Sequence, residues 1–339
     1  MTDATPVTHQ RVSPPQLAAF SAAQRQRLLG LACIGGSAPD WQGQVPVQVV
    51  AAPLLGSSAG VIAEAWSAGK ACQSGDWNGI RYRADGHLLY GSIAVDEADA
   101  ASLQRATETA YRQVFALLDA QGYPHLWRAW NYLSDINAVR DGLERYRQFN
   151  VGRQDAFLAC GRLARGQVPA ACALGTRHGP LTIAFMAGRT PATPIENPRQ
   201  MSAYDYPAAY GPRSPTFARA VLAQVPGQEL LFISGTASIV GHRTVHAGDV
   251  AGQARETVAN LEALLTAVNG RCAGPAYALG DLSYRAYLRH AGDLAPVQRI
   301  VDQLLGADAS VLYIEADICR PDLLVELEAT AAHAVGRSQ

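Results

Sequence analysis

The residue types best suited to acid–base chemistry in this chain fall near its C-terminus, in the run Ser310-Val-Leu-Tyr-Ile-Glu-Ala-Asp-Ile-Cys-Arg-Pro-Asp-Leu-Leu-Val-Glu-Leu-Glu-Ala329. Glu326 lies at the centre of an apolar stretch, and Cys319 lies seven residues upstream. A carboxylic acid delivers protons near neutral pH only if burial raises its pKa. Leu324, Val325 and Leu327 would supply such surroundings for Glu326. The other reading is that Glu326 and Glu328 line a solvated sheet face. Cys319 is open between a nucleophile, a small polar wall and the packing role usual for a lone strand cysteine.

A second set of candidates is basic and aromatic. Arg140, Arg145, Tyr146, Arg147 and Arg153 cluster in one segment, and Arg199, Tyr204, Tyr206, Tyr210 and Arg213 in another. Arginine holds a carboxylate through two parallel hydrogen bonds, and tyrosine adds a flat wall and one donor. Arg153 and Arg199 are therefore the candidate anion ligands, with Tyr146, Tyr204, Tyr210 and Arg213 around them. They could equally rim a solvated surface and bridge to Glu196 or Asp205. In Ile233-Ser-Gly-Thr-Ala-Ser-Ile239 a strand runs into small residues. Gly235 permits close backbone approach, and Thr236 and Ser238 can donate hydrogen bonds, so ligand contact and a β-bulge are both open here.

Other motifs are weaker. His242 and His246 have no acidic or thiol partner at metal spacing, and no zinc pattern exists among the six cysteines, so no metal is expected. Gly35-Gly36-Ser37 lacks a phosphate-loop ending. Gly56-Ser-Ser-Ala-Gly60 matches G-x-S-x-G with Ser58 at the nucleophile position. However, Pro53-Leu-Leu55 separates it from the preceding strand, and a loop of small residues reads equally well.

The elements must position these groups in a chain of 339 residues, long enough for two domains. Lys and Arg number 28 against 29 Asp and Glu, so there is no basic excess for a general nucleic-acid binder. No run reaches the roughly 18 apolar residues of a membrane span, and no signal pattern opens the chain. A reduced cytoplasmic setting is expected. Residues 1–45 read as an extension with a helical patch at Pro15–Leu31. Strands are expected at 47–52, Ile80–Tyr82, Leu88–Ile93, Leu126–Leu133 and Thr182–Met186. Leu103, Ala106, Ala110, Val114, Leu117 and Leu118 recur at helical spacing within Asp99–Ala120. Residues 135–165 begin helical and read as an insert, and the proline-rich 187–215 excludes a long helix or central strand.

An internal repeat follows. Leu230–Gly235 is similar to Leu88–Ser92. Ala254–Val268 aligns with Ala106–Ala120, with Glu256-Thr257 on Glu108-Thr109, an offset of about 148 residues. Leu282–Leu288 then corresponds to Leu126–Tyr132. The expected fold class is α+β: two related units, 46–215 and 216–335, each a sheet with helices on one face.

Five stretches together resemble the chorismatases, also called chorismate hydrolases. They are Arg145-Tyr-Arg-Gln-Phe-Asn-Val-Gly-Arg153, Glu196-Asn-Pro-Arg-Gln-Met-Ser-Ala-Tyr-Asp-Tyr206, Tyr210-Gly-Pro-Arg-Ser-Pro215, Phe232-Ile-Ser-Gly-Thr-Ala-Ser-Ile-Val-Gly-His242 and Ala316–Glu328. The C-terminal unit resembles the reactive-intermediate deaminases (RidA/YjgF-like, chorismate-mutase-like). The resemblance implies two such units, with the site beside the C-terminal one and no metal or organic cofactor. It implies that Glu326 protonates the enolpyruvyl methylene of chorismate, whose two carboxylates account for the Arg and Tyr groups. Cys319 resembles the branch making 3-hydroxybenzoate, whereas Ala237 stands where that branch often has Gly. The mixture is similar to a bifunctional branch forming 3- and 4-hydroxybenzoate for pigment and quinone pathways. The hydrolytic branch, which leaves a dihydroxycyclohexadiene acid, and a non-catalytic aromatic-acid binder on the same fold are the alternatives. Two fused units favour a monomer, with a dimer or trimer as alternatives.

Overall fold

The computed structural model describes residues 6–36, 45–57, 60–163 and 167–335. Two large sheets share one plan. In the first, β1 (Gln73–Trp77), β2 (Ile80–Ala84) and β3 (Leu88–Val95) lead to helix α1 (Leu103–Gln121). Strand β4 (His125–Ser134), helix α2 (Arg145–Ala159), β5 (Ala170–Thr176) and β6 (Leu181–Gly188) follow. In the second, the succession is β7 (Thr193–Ile195), β8 (Ala220–Val225), β9 (Gln228–Ala237), α3 (Val250–Asn269), β10 (Ser283–Leu288), α4 (Leu294–Leu305), β11 (Ser310–Glu315) and β12 (Val325–Ala334). The spatial orders are β5-β4-β6-β3-β2-β1 and β11-β10-β12-β9-β8-β7. The central pairings β6–β3, β6–β4, β12–β9 and β12–β10 are antiparallel. The pairings β5–β4 and β11–β10 are parallel.

Local sequence explains the helices. Ser102 caps α1 by accepting from the Arg105 amide, and Gly122 ends it with φ +72°, a conformation that favours glycine. Gly152 lets α2 close on α1, since a Cβ there would lie 2.1 Å from the Gln104 carbonyl oxygen. That contact fixes the helix carrying Tyr146 and Arg153.

Several expectations need correcting. Pro15–Leu31 is not one helix: it divides into Pro14–Ala18 and Ala22–Arg27, and the chain then turns into the strand Leu28–Ile34. Ser21 caps the second helix, and all seven residues of the strand are buried. Residues 135–165 are no insert, because α2 holds the same place in the first sheet as α4 in the second. Its helix starts only at Arg145, after short strands at Val139–Arg140 and Leu143–Glu144. Strands β11 and β12, which flank Pro321 in the chain, are separated in the sheet by β10. Strands Thr8–Val12, Ile62–Ser67, Leu28–Ile34 and Val47–Val50 build a third, four-stranded sheet, while Leu54–Leu55 pairs with β11. Ser58, the weakly matched G-x-S-x-G position, lies outside the described residues.

The three sheets meet on their helix-free faces. Trp66, Trp130 and Phe232, one from each sheet, have ring centroids 5.9 to 6.3 Å apart. Beside them runs a buried ionic chain. Arg128 of β4 binds Glu328 of β12, and Arg285 of β10 donates to Glu328 at 3.1 Å and to Glu64 at 2.7 Å. Tyr287 donates to Glu328 at 3.0 Å, and the Tyr132 and Tyr287 hydroxyls lie 2.6 Å apart. Burial favours the neutral form of Glu64, but Arg285, His9 and Arg11 outweigh it and hold the carboxyl well below its usual range. Removing one member strands a buried charge. Arg128→Met should therefore cost about 3–5 kcal/mol in urea unfolding, and Arg128→Met with Glu328→Leu markedly less than the sum of the two single changes.

Candidate active site

Glu326 is the second residue of β12, paired with Ala237 on one side and Tyr287 on the other. Strand alternation puts it on the same face as Glu328, and both are buried, at 4 % and 3 % exposure. The solvated-face reading is thereby overturned. Room for the carboxyl comes from Gly235, at an irregularity in the pairing of β9 with β12. A Cβ on Gly235 would stand 2.0 Å from Glu326 Oε1. The bulge and the close approach anticipated around Gly235 are thus the same feature.

The carboxyl of Glu326 is raised to about 8. Burial is the main cause and the charge of Glu328 the second, while Arg128 and Arg219 oppose them. Glu328 is held by two guanidiniums, whereas Glu326 has no ion pair among the described residues. Two carboxyls on one strand face are thus set to different tasks. Burial also pushes the Cys319 thiol up to about 12, helped by Glu326. The thiol stays protonated, so of the readings open for Cys319 the nucleophilic thiolate is not supported.

Glu326 and Cys319 line a cavity of about 570 Å³ with Tyr146, Tyr206, Tyr210, Phe217, Arg219, Ala237 and Arg320. A narrow recess continues past Glu326 and Cys319 to Asn150 and Arg153. Arg153 is 2 % exposed, its Nε and Nη2 have no hydrogen-bond partner among the described residues, and the guanidinium lies 5.2 Å from the Tyr111 ring centre. Arg219 donates to the Met201 carbonyl and the Tyr206 hydroxyl, but its buried Nε has no partner among the described residues. Arg320 donates to the His242 carbonyl and stacks 4.2 Å over Tyr210, leaving a buried Nη2 without a partner among the described residues. Buried donors without partners are costly, and carboxylate oxygens would satisfy all three.

The structure thus brings Glu326, Cys319, Tyr146, Tyr210 and Ala237 together, with Arg153 in the adjoining recess. The other candidates do not reach the cavity. The guanidinium of Arg199 is engaged by Glu256 at 2.6 Å and Asn260 at 2.8 Å, so the expected anion ligand is a structural tie. Arg213 pairs with Asp155, Tyr204 packs against the core, and the Thr236 hydroxyl donates to the Ser234 carbonyl. Arg219 and Arg320 were missed. Arg219 follows the proline-rich segment, and Arg320 reads as turn punctuation beside Pro321. The accessible signal was their position, flanking Phe217 and Cys319.

The chain is similar to several known proteins. The family described as Chorismatase FkbO/Hyg5-like, N-terminal, matches residues 64–187. A chorismatase of Streptomyces rapamycinicus is 40% identical over 277 residues, covering 80% of this chain and 82% of the relative. A 3-hydroxybenzoate synthase of Streptomyces hygroscopicus is 37% identical over 286 residues, covering 81% and 83%. A chorismatase crystal structure superposes with a TM-score of 0.87 at 34% identity, over 98% of this chain and 100% of that one.

Gly235→Ala should displace the Glu326 carboxyl and lower turnover by about 10²-fold. An unchanged rate would show that the carboxyl needs no such space. On the sequence identities and their coverage, the chain belongs to the chorismatase family.

Proposed function

We propose that this chain releases pyruvate from chorismate and leaves a hydroxybenzoate, with Glu326 as the general acid. The observation that carries the reading is a carboxyl raised to about 8 on the wall of a cavity with unpartnered buried guanidinium groups. Chorismate has two carboxylates, which suit Arg153, Arg219 and Arg320. Glu326 delivers its proton to the terminal methylene carbon of the enolpyruvyl group, and positive charge develops at the ether carbon. The ring hydroxyl oxygen bonds to the adjacent ring carbon as that carbon's bond to the ether oxygen breaks, and the ether oxygen leaves as the keto oxygen of pyruvate. An epoxide-like ring species then aromatises. The ring proton lost at that stage balances the one Glu326 delivered, and no water is consumed.

Cys319 and Ala237 are the residues that select the branch in this reading. A neutral thiol beside the acid serves as a wall and weak donor, in line with the 3-hydroxybenzoate branch. Ala237 adds a methyl opposite Glu326, which favours some 4-hydroxybenzoate through a shift in ring placement. The reading includes two deaminase-like units. Their support is the identical strand order and helix placement of the two large sheets. It also includes a monomer in the reduced cytoplasm, in keeping with six free cysteines. No helix is long and apolar enough to cross a membrane.

Incubation with chorismate alone, followed by chromatography, should give 3- and 4-hydroxybenzoate with equimolar pyruvate. Glu326→Gln should lower pyruvate release by at least about 10²-fold with chorismate affinity retained. The active form is protonated below about pH 8, so the wild-type rate should fall as pH rises through that value. A rate that climbs through pH 8 contradicts the acid role. Cys319→Ala should shift products towards the dihydroxycyclohexadiene acid, and an unchanged product ratio removes the thiol from the mechanism.

A further inference from the structure

The register of the first sheet places a counterpart of the active-site cavity in the other half of the molecule. Glu326 is paired with Ala237 and Tyr287, and Thr182 of β6 is paired in the same way with Ala94 and Tyr132. Tyr132 and Tyr287 hydrogen-bond to one another, so the two positions are related across the centre of the protein. Thr182 thus stands where the acid stands.

A cavity of about 420 Å³ lies there. Its walls correspond to those of the active site. The end of β3 (Ser92, Ala94) matches the end of β9 (Gly235, Ala237), and the loop before β6 (His178, Pro180) matches the loop before β12 (Cys319, Arg320). The remaining wall comes from the third sheet, where α2 serves at the active site. Gln48 reaches in from it, Val45 and Val47 packing on the other face of their strand, and the apolar lining comes from Ala94, Pro180 and Tyr132. The volume lies within the usual range of small-molecule sites.

The polar groups define the ligand. Gln48 is 1 % exposed, and its Nε2 donates to the Trp130 carbonyl at 3.0 Å and to Thr182 Oγ1 at 3.3 Å. Its Oε1 is buried with no partner among the described residues. Thr182 Oγ1 accepts from Gln48, which leaves its own proton to donate. Together they offer one acceptor and one donor, the complement of a single hydroxyl. The cationic groups on this wall are Arg81, which is paired with Asp76 at 3.3 Å, and His178. The unpartnered buried guanidiniums of the active site have no counterpart in it.

We propose that this cavity is a second, non-catalytic binding site for a phenol. The ring lies against Tyr132, Ala94 and Pro180, and its hydroxyl meets Gln48 and Thr182. With threonine at the acid position, the ligand is held and not turned over.

The test uses the full-length protein and 4-bromophenol, with 4-bromoanisole, which lacks the hydroxyl proton, and 4-bromobenzoate as controls. Anomalous scattering from soaked crystals should place bromine between Ala94 and Pro180. Calorimetric titration should show saturable 4-bromophenol binding, weakened about tenfold in Gln48→Leu and equally weak for 4-bromoanisole. Ala94→Phe, at an exposed wall position, should abolish this binding while chorismate kcat/KM stays within about twofold. The binding arms do not depend on turnover, so they stand apart from the proposed activity. Bromine confined to the Glu326 cavity overturns the proposal, as does binding at soak concentration only. Equal affinity for 4-bromoanisole or 4-bromobenzoate overturns the assignment to phenols.

Discussion

Glu64, Arg285, Glu328 and Arg128 alternate in charge across the junction of three sheets, and the geometry of the site follows from that chain. Charges removed from water are tolerated only with close partners, so each member constrains the sheet that carries its neighbour. Such pairs add little net stability compared with apolar packing, and what they supply here is register. If β12 shifted by one residue, Glu326 and Glu328 would both turn towards the helices. The aromatic contacts of Trp66, Trp130 and Phe232 enclose the same junction and keep the ionic chain dry.

The acid depends on this arrangement twice. Glu328, fixed by two guanidiniums, places a negative charge on the face that Glu326 shares. The two guanidiniums that stabilise Glu328 do not pair with Glu326. Gly235 then leaves the space the acid occupies, and the thiol of Cys319 stays neutral beside it. One strand thus carries both an ion-paired carboxylate and a carboxyl that favours its protonated form, and the difference between them lies in their partners.

Much of this was legible from local pattern. Apolar spacing located α1, alternation put Glu326 and Glu328 on a common face, and the matched Glu-Thr pairs located α1 and α3 as equivalent helices. What pattern could not supply was the source of the third wall around each group. Burial of Glu326 comes from strands and a helix distant in the chain, so a solvated face read equally well. Arg199 and Arg219 look alike in sequence, but one meets Glu256 on α3 and the other faces the cavity. The helix expected across Pro15–Leu31 failed because Ser21 restarts the chain and tertiary burial draws Leu28–Ile34 into a sheet.

The two large sheets differ most between their first two strands. β1 and β2 are joined by a tight turn at Asn78-Gly79, whereas β7 and β8 are separated by residues 196–219, which carry Tyr206, Tyr210, Phe217 and Arg219. That segment is anchored on an outer strand, away from the ionic chain, so it can change length and composition without disturbing the register of the sheets. The loop that lines the cavity and the strand that carries Glu326 are thereby housed in separable parts of one sheet.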